Sequence, residues 1–279
     1  MTIIAEEKYT VDSVINVLKQ LVNADIPQEY RDWAIAGIEF SAEHPDINVT
    51  VYPNSIFGYL RKNPMPDQVR ELVEGIYNEA IDKGNGMAAC NLGALYYTGQ
   101  IGEQSYEKAR ELYEIAAETG DDNAIENLGY CYYYGRDCEV DYEKAYKYFS
   151  RGAFIGRVIS LYKIGDMYKN GYYVEKNEAE AFRIYCNCID LINNNTDKDA
   201  VAEYAPDVFV RYAECFINGI GCNKDILGGL YWAQRAEVGF RERELQDKPF
   251  ARHGVEWSVN LVNQCRNILD TEAGYQQAC

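Results

Sequence analysis

Two histidines and nine cysteines are most of what this 279-residue chain offers, beyond its carboxylates, for acid–base, nucleophilic or metal chemistry. His44 stands before Pro45 and His253 before Gly254, and neither sits in a recognisable catalytic context. The sequence has no GxGxxG, GxxxxGKS/T, GxSxG or HExxH pattern. No CxxC pair or Cys/His cluster has zinc-like spacing. The acid pair Asp121 and Asp122 falls at an expected helix start, where carboxylates meet the positive end of the helix dipole. These residues predict no enzyme, no cofactor and no metal.

The cysteines are odd in number, which argues against a complete disulfide framework. Cys186 and Cys188 are too close for a relaxed bridge. Cys131 with Cys138, and Cys215 with Cys222, share a seven-residue separation, which leaves a local disulfide open. Mostly buried thiols in a reducing cytoplasm are the expectation. The start MTIIAEEKYT lacks the features of a signal peptide, no apolar run approaches the ~20 residues of a membrane span, and neither export nor a membrane partner is expected.

Forty-four acidic residues against 27 basic ones give a net charge of −17. That field repels polyanions, which excludes nucleic acid as an expected ligand, and favours partners with basic surface. With 47 % hydrophobic residues the chain has enough apolar material for a sizeable core.

The elements that would position any site emerge from self-alignment. Leu92-Gly93, Leu128-Gly129 and Ile164-Gly165 are spaced 36 residues apart, in the segments NLGALYYTG, NLGYCYYYG and KIGDMYKNG. Each first glycine is followed at three residues by Tyr96, Tyr132 or Tyr168 and at six by Gly99, Gly135 or Gly171. A second segment then supplies Ala109, Ala145 or Ala181, with Tyr113, Phe149 or Tyr185 four residues on. A looser fourth copy, RYAECFINGIG, keeps Ala213 and Gly219 in register and has Gly229 in the alanine slot. It lies 48 residues after the third, so about 12 residues are inserted. The stretch 187–206 is open between a loop and an extra helix.

Apolar and aromatic residues four apart share a helix face, so each copy reads as a helical hairpin with a glycine turn. A mid-helix glycine costs about 1 kcal/mol relative to alanine. Its recurrence in register predicts a packing role, letting two helix axes approach closely. LG-x-x-Y-x-x-G followed by YEKA-x-x-x-Y resembles the Sel-1-like repeat family, a relative of the tetratricopeptide repeats. The resemblance implies an all-α, α/α superhelical solenoid of ~36-residue hairpins and a role as adaptor or scaffold for protein complexes.

The expected organisation has an N-terminal helical cap at 1–50, a degenerate repeat at 51–84 and three repeats at 85–192. An insertion with the divergent fourth repeat follows at 193–240, and a capping helix at 241–279. The cap carries Val11, Val14, Ile15, Leu18 and Val22 after Thr10, then Tyr30, Trp33 and Ala34 after Pro27. The degenerate copy would place its first helix near SIFGYLRKN and its second in DQVRELVEGIYNEAIDKG.

The first helices of such an array line its concave wall. If Leu92 and Tyr96 point into the core, the opposite face holds Cys90, Ala94 and Thr98, flanked by Asn91 and Tyr97. The corresponding positions are Glu126, Tyr130, Tyr133 and Tyr134, then Tyr162, Asp166, Lys169 and Asn170, then Glu214, Ile217 and Asn218. Exposed tyrosine offers large contact area at low entropic cost. The expected function is a non-catalytic module binding a protein or peptide on this tyrosine-rich, acidic groove. The alternatives are a small-ligand binder or enzyme with a site between the cap and the repeats, and a self-associating structural protein, for instance a homodimer.

Overall fold

Several helices of the hairpins start where short polar side chains accept from helix-initiating amides. Asn85 Oδ1 takes the Ala88 N–H at 3.1 Å, Asp121 Oδ1 the Ala124 N–H at 3.0 Å, and Asn177 Oδ1 the Glu180 N–H at 3.0 Å. The hairpins' first helices end on a glycine in the left-handed conformation, for example Gly99 (φ +72°) and Gly171 (φ +73°). A side chain at φ > 0 is strained, which is why glycine recurs six residues after the packing glycine.

The computed structural model describes residues 8–56, 65–246, 248 and 250–278. Among them every regular element is helical, and the fold is an all-α repeat solenoid. The chain divides into two compact units, 1–141 and 142–279.

The first unit contains α1 (Val11–Val22), α2 (Gln28–Glu43), α3 (Val51–Ser55), α4 (Asp67–Asp82), α5 (Gly86–Thr98), α6 (Tyr106–Glu118) and α7 (Asp122–Tyr134). Thr10 caps α1 reciprocally with Ser13. Val14, Leu18, Tyr30, Trp33 and Ala34 are buried in one core with Val69, Ile76 and Tyr77 of α4. The Trp33 indole N–H reaches the Tyr52 carbonyl at 3.1 Å, so its polar atom is satisfied inside. The first helix expected for the degenerate copy falls largely outside the described residues, whereas α4 occupies the stretch expected for the second.

The second unit contains α8 (Tyr142–Phe154), α9 (Val158–Asn170), α10 (Glu178–Asn194), α11 (Lys198–Ala202), α12 (Ala205–Asn218), α13 (Ile226–Leu245) and α14 (Ala251–Ala278). The insertion is helical in part: it lengthens α10 to 17 residues and adds the short α11 before α12. Leu261, Val262 and Cys265 of α14 are buried with Ala213, Ala233 and Phe240.

The mid-helix glycines pack against the second-helix aromatics. A Cβ placed on Gly93 would stand 2.8 Å from Cε1 of Tyr113, and one on Gly165 2.6 Å from Cε1 of Tyr185. Such distances are well inside carbon–carbon contact, so the α5–α6 and α9–α10 hairpins close only around glycine. In the fourth repeat the relation inverts: Gly229 on α13 faces Ile217 on α12, whose Cγ1 would lie 2.6 Å from an added Cβ. This is why Ile217 is buried, although the helical wheel places it on the open face.

Candidate functional site

Two side-chain clusters contain some of the residues expected on the first-helix face, one in each unit.

In the first unit an aromatic surface forms where α5 ends, α6 begins and α7 ends. Tyr130 and Tyr134, one turn apart on α7, stack with centroids 6.0 Å apart and planes 3° from parallel. Tyr133 meets Tyr134 edge-on at 4.9 Å. The Arg136 guanidinium lies 4.9 Å from the Tyr106 ring and 5.8 Å from the Tyr134 ring. Tyr106 in turn packs edge-on against Tyr97 at 5.1 Å. Tyr134 is 48 % exposed, while Tyr97, Tyr130 and Tyr133 are half-buried. Burial raises the Tyr97 hydroxyl above its ordinary pKa, opposed by the Arg136 charge and hydrogen bond. This phenol stays neutral at physiological pH, able both to donate and to accept.

Other expected face residues of this unit serve the helices themselves. Asn91 donates to Asn54 at 2.8 Å, and the exposed Thr98 hydroxyl returns to the Ala94 carbonyl at 2.8 Å. Ala94 is half-buried. Glu126 and Cys90 are buried at 5 % exposure each, so neither is an open-face side chain.

In the second unit the expected face residues close into a buried ionic network. Arg211 on α12 forks onto Asp166 on α9, Nε to Oδ1 at 2.7 Å and Nη2 to Oδ2 at 2.8 Å. The Tyr185 hydroxyl donates to the same Oδ1 at 2.8 Å, and Lys163 Nζ stands 3.8 Å from Oδ2. Tyr162 is buried beneath Arg211, whose guanidinium is 4.4 Å from its ring. Trp257 of α14 lies 5.3 Å from the same guanidinium.

Burial pushes the Asp166 carboxyl upward, but the charge and hydrogen bonds of Arg211 override it and hold the group below the usual carboxylate range. Burial pulls Lys163 down to about 8, with Asp166 opposing only in part. Tyr162 and Asp166 are thus removed from the face on which the helical wheel sets them. The wheel treats the side opposite Leu92 and Tyr96 as solvent, whereas that side of α9 meets α12.

Toward the end of α9, Lys169 pairs with Glu214 at 2.8 Å. Asn170 is exposed and donates to the Asp166 carbonyl at 2.7 Å. Asn218 is exposed and accepts from Gln264 at 3.3 Å.

Arg136, Tyr106, Tyr185, Lys163 and Arg211 were not among the expected site residues. A sequence signal exists for the last two. Lys163 and Arg211 occupy the register slot that holds Asn91 and Asn127 in the first two copies, and acids stand three residues later at Asp166 and Glu214. Arg136 follows a helix-ending glycine, outside any helical-wheel argument.

Among the described residues no three His, Cys, Asp or Glu side chains converge as metal ligands, and no helix is long and apolar enough to cross a membrane. No disulfide joins the eight described cysteines. Cys138 Sγ instead points to the Cys131 carbonyl at 3.8 Å, and Cys222 Sγ to the Cys215 carbonyl at 3.5 Å, each in the turn that ends a first helix.

Residues 86–121, 123–153, 158–186 and 210–237 match the Sel1 repeat. The chain therefore carries four Sel1 repeats, and proteins built from this repeat are generally protein–protein interaction scaffolds without catalytic function. A Sel1 repeat protein from Oxalobacter formigenes has a similar fold, with TM-score 0.56 and 20 % identity over 88 % of this chain and 96 % of that one. The c5321 protective antigen of uropathogenic Escherichia coli, which displays an SLR fold, aligns at TM-score 0.46 and 19 % identity over 93 % of this chain and 64 % of that one. No curated protein matches the sequence.

Proposed function

We propose that this protein is an interaction module that binds a protein or peptide through the tyrosine surface of its first unit. The observation that carries this reading is the cluster of Tyr97, Tyr106, Tyr130, Tyr133 and Tyr134 around Arg136. The Tyr130–Tyr134 stack and the Arg136 contacts hold large, amphipathic rings in fixed positions, which lowers the entropy lost on binding. Tyrosine and arginine together are the residue types that dominate binding hot spots.

The partner surface we assign is basic, because the chain's −17 charge draws cationic patches and steers their approach. Asn170, Asn218 and the Lys169–Glu214 pair of the second unit are assigned as further polar contacts. The reading places the protein in the cytoplasm, a compartment in which thiols persist.

The test is a pull-down from source-cell lysate with wild type and Y130A/Y134A side by side, followed by titration of the purified captured protein against both. The expected result is at least tenfold weaker binding by the variant, with unchanged far-UV circular dichroism and a wild-type affinity that falls with salt. Equal affinity of the two proteins overturns the assignment of the tyrosine surface.

A further inference from the structure

The inserted stretch before the fourth repeat builds one wall of a cleft. Val201 of α11, Pro206 and Phe209 at the start of α12, and Tyr231, Arg235 and Val238 on α13 surround a volume of about 610 Å³. That is the size of a small-ligand site, and its lining is mainly apolar. Tyr231 and Val238 are 54 % and 57 % exposed, so apolar surface stands uncovered at this place.

Arg235 gives the cleft its chemistry. Its guanidinium carbon lies 4.3 Å from the centroid of the Phe209 ring and 4.9 Å from that of Trp232, within cation–π range of both. A cation–π contact draws on the charge without consuming the N–H donors, which are left for an acceptor. Among the described residues Arg235 has no carboxylate partner, whereas Arg183, Arg211, Arg241 and Arg243 are each paired with an acid. Of the two acids that line the cleft, Glu203 is engaged by Lys248 at 3.0 Å, and Glu242 is not paired with Arg235. In a chain with 17 excess negative charges, an arginine that neither acid of the cleft pairs, set against aromatic rings, is free to receive an anion supplied from outside. The surrounding negative field disfavours polyanions, and the walls favour an apolar body.

We propose that this cleft binds an apolar monocarboxylate, with the carboxylate forked onto Arg235 and the hydrocarbon or aromatic part between Val201, Pro206 and Val238. The same chemistry comes from a free carboxylic acid or from the carboxyl terminus of a peptide ending in an apolar residue. The site is independent of the tyrosine surface, so either reading stands without the other.

The test is calorimetric titration of the full chain with 4-phenylbutyrate and N-acetyl-Leu-Phe, each against its carboxamide, repeated with R235Q. Arg235 is exposed, so R235Q should keep the wild-type melting temperature. R235K separates loss of charge from loss of the planar fork, and should bind with intermediate affinity. Binding of an acid but not its amide, weakened at least tenfold in R235Q, supports the proposal. Preference between phenylbutyrate and the dipeptide identifies the source of the carboxylate. Equal binding of acid and amide, unchanged affinity in R235Q, or no binding of either acid by wild type overturns it.

Discussion

Tyr185 and Asp166 join the two helices of the third hairpin by a hydrogen bond at 2.8 Å, and the edge of the same tyrosine ring covers Gly165. One side chain therefore sets how closely α9 and α10 approach and also solvates a carboxylate that has left water. Asp166 receives that hydroxyl together with two N–H donors of Arg211, so its charge is compensated inside the second unit.

Replacing Asp166 with Asn should destabilise the protein by about 3–5 kcal/mol, because Arg211 and Lys163 would remain buried without a counter-charge. The carboxyl is held below its ordinary pKa, so its contribution is present at neutral pH and is lost as pH falls below the unfolded-state value through the folded one. Urea unfolding at pH 7 measures the first effect. A D166N midpoint within error of wild type would contradict the network.

Lys163 titrates at about 8 in the folded protein against 10.5 for the ordinary side chain. Between these values the unfolded chain keeps a proton that the folded chain has released, so this group makes the protein more stable as pH rises through that window. The full effect is roughly 3 kcal/mol. K163M should be at least as stable as wild type at pH 7, since Asp166 keeps Arg211, and should lose that advantage by pH 10. Tyrosines and cysteines also titrate in this range, so the quantity to measure is the difference between the two proteins. Parallel stability curves would refute the expectation.

Gly165→Ala should cost about 1–3 kcal/mol by overpacking against Tyr185. The double variant with Tyr185→Phe keeps the ring, and should therefore retain this penalty while adding the loss of the hydroxyl bond to Asp166. A double-mutant cycle measured by chemical denaturation would show near-additive costs. Strong compensation between the two would mean that the ring moves away when its hydroxyl is removed.

Burial raises the thiols of Cys131, Cys188 and Cys215 to about 12. Each is then a thiolate only about once in 10⁵ molecules at pH 7. Alkylation with iodoacetamide, read by peptide mass spectrometry, should modify these three only after denaturation. Rapid labelling of Cys131 in native buffer would show that the α7 turn opens.

The hairpins are legible in the sequence because their determinants are local and periodic. Gly93, Gly165, Tyr113 and Tyr185 recur at fixed spacing since each hairpin solves the same packing problem. The site is less legible because it depends on contacts between repeats. A helical wheel on α9 assigns Asp166 and Tyr162 to an open face, and only Arg211, 45 residues further on, turns that face into interior. Ile217 fails for a reason inside its own hairpin, where Gly229 leaves the room that it fills. The insertion could not be decided between loop and helix, because the Asp197 cap and the α11 turn it starts are too short to produce a periodic pattern.

Repeat arrays are commonly duplicated, deleted and exchanged as modules, one hairpin at a time. The Arg211–Asp166 bond joins the fourth hairpin to the third and sets a limit on that freedom. A third hairpin copied alone would carry Asp166 and Lys163 without Arg211, and a fourth copied alone would bring a buried guanidinium with no acid to receive it. For shuffling or grafting, the heritable piece in this half of the protein is the pair of hairpins, α9 through α13, moved together.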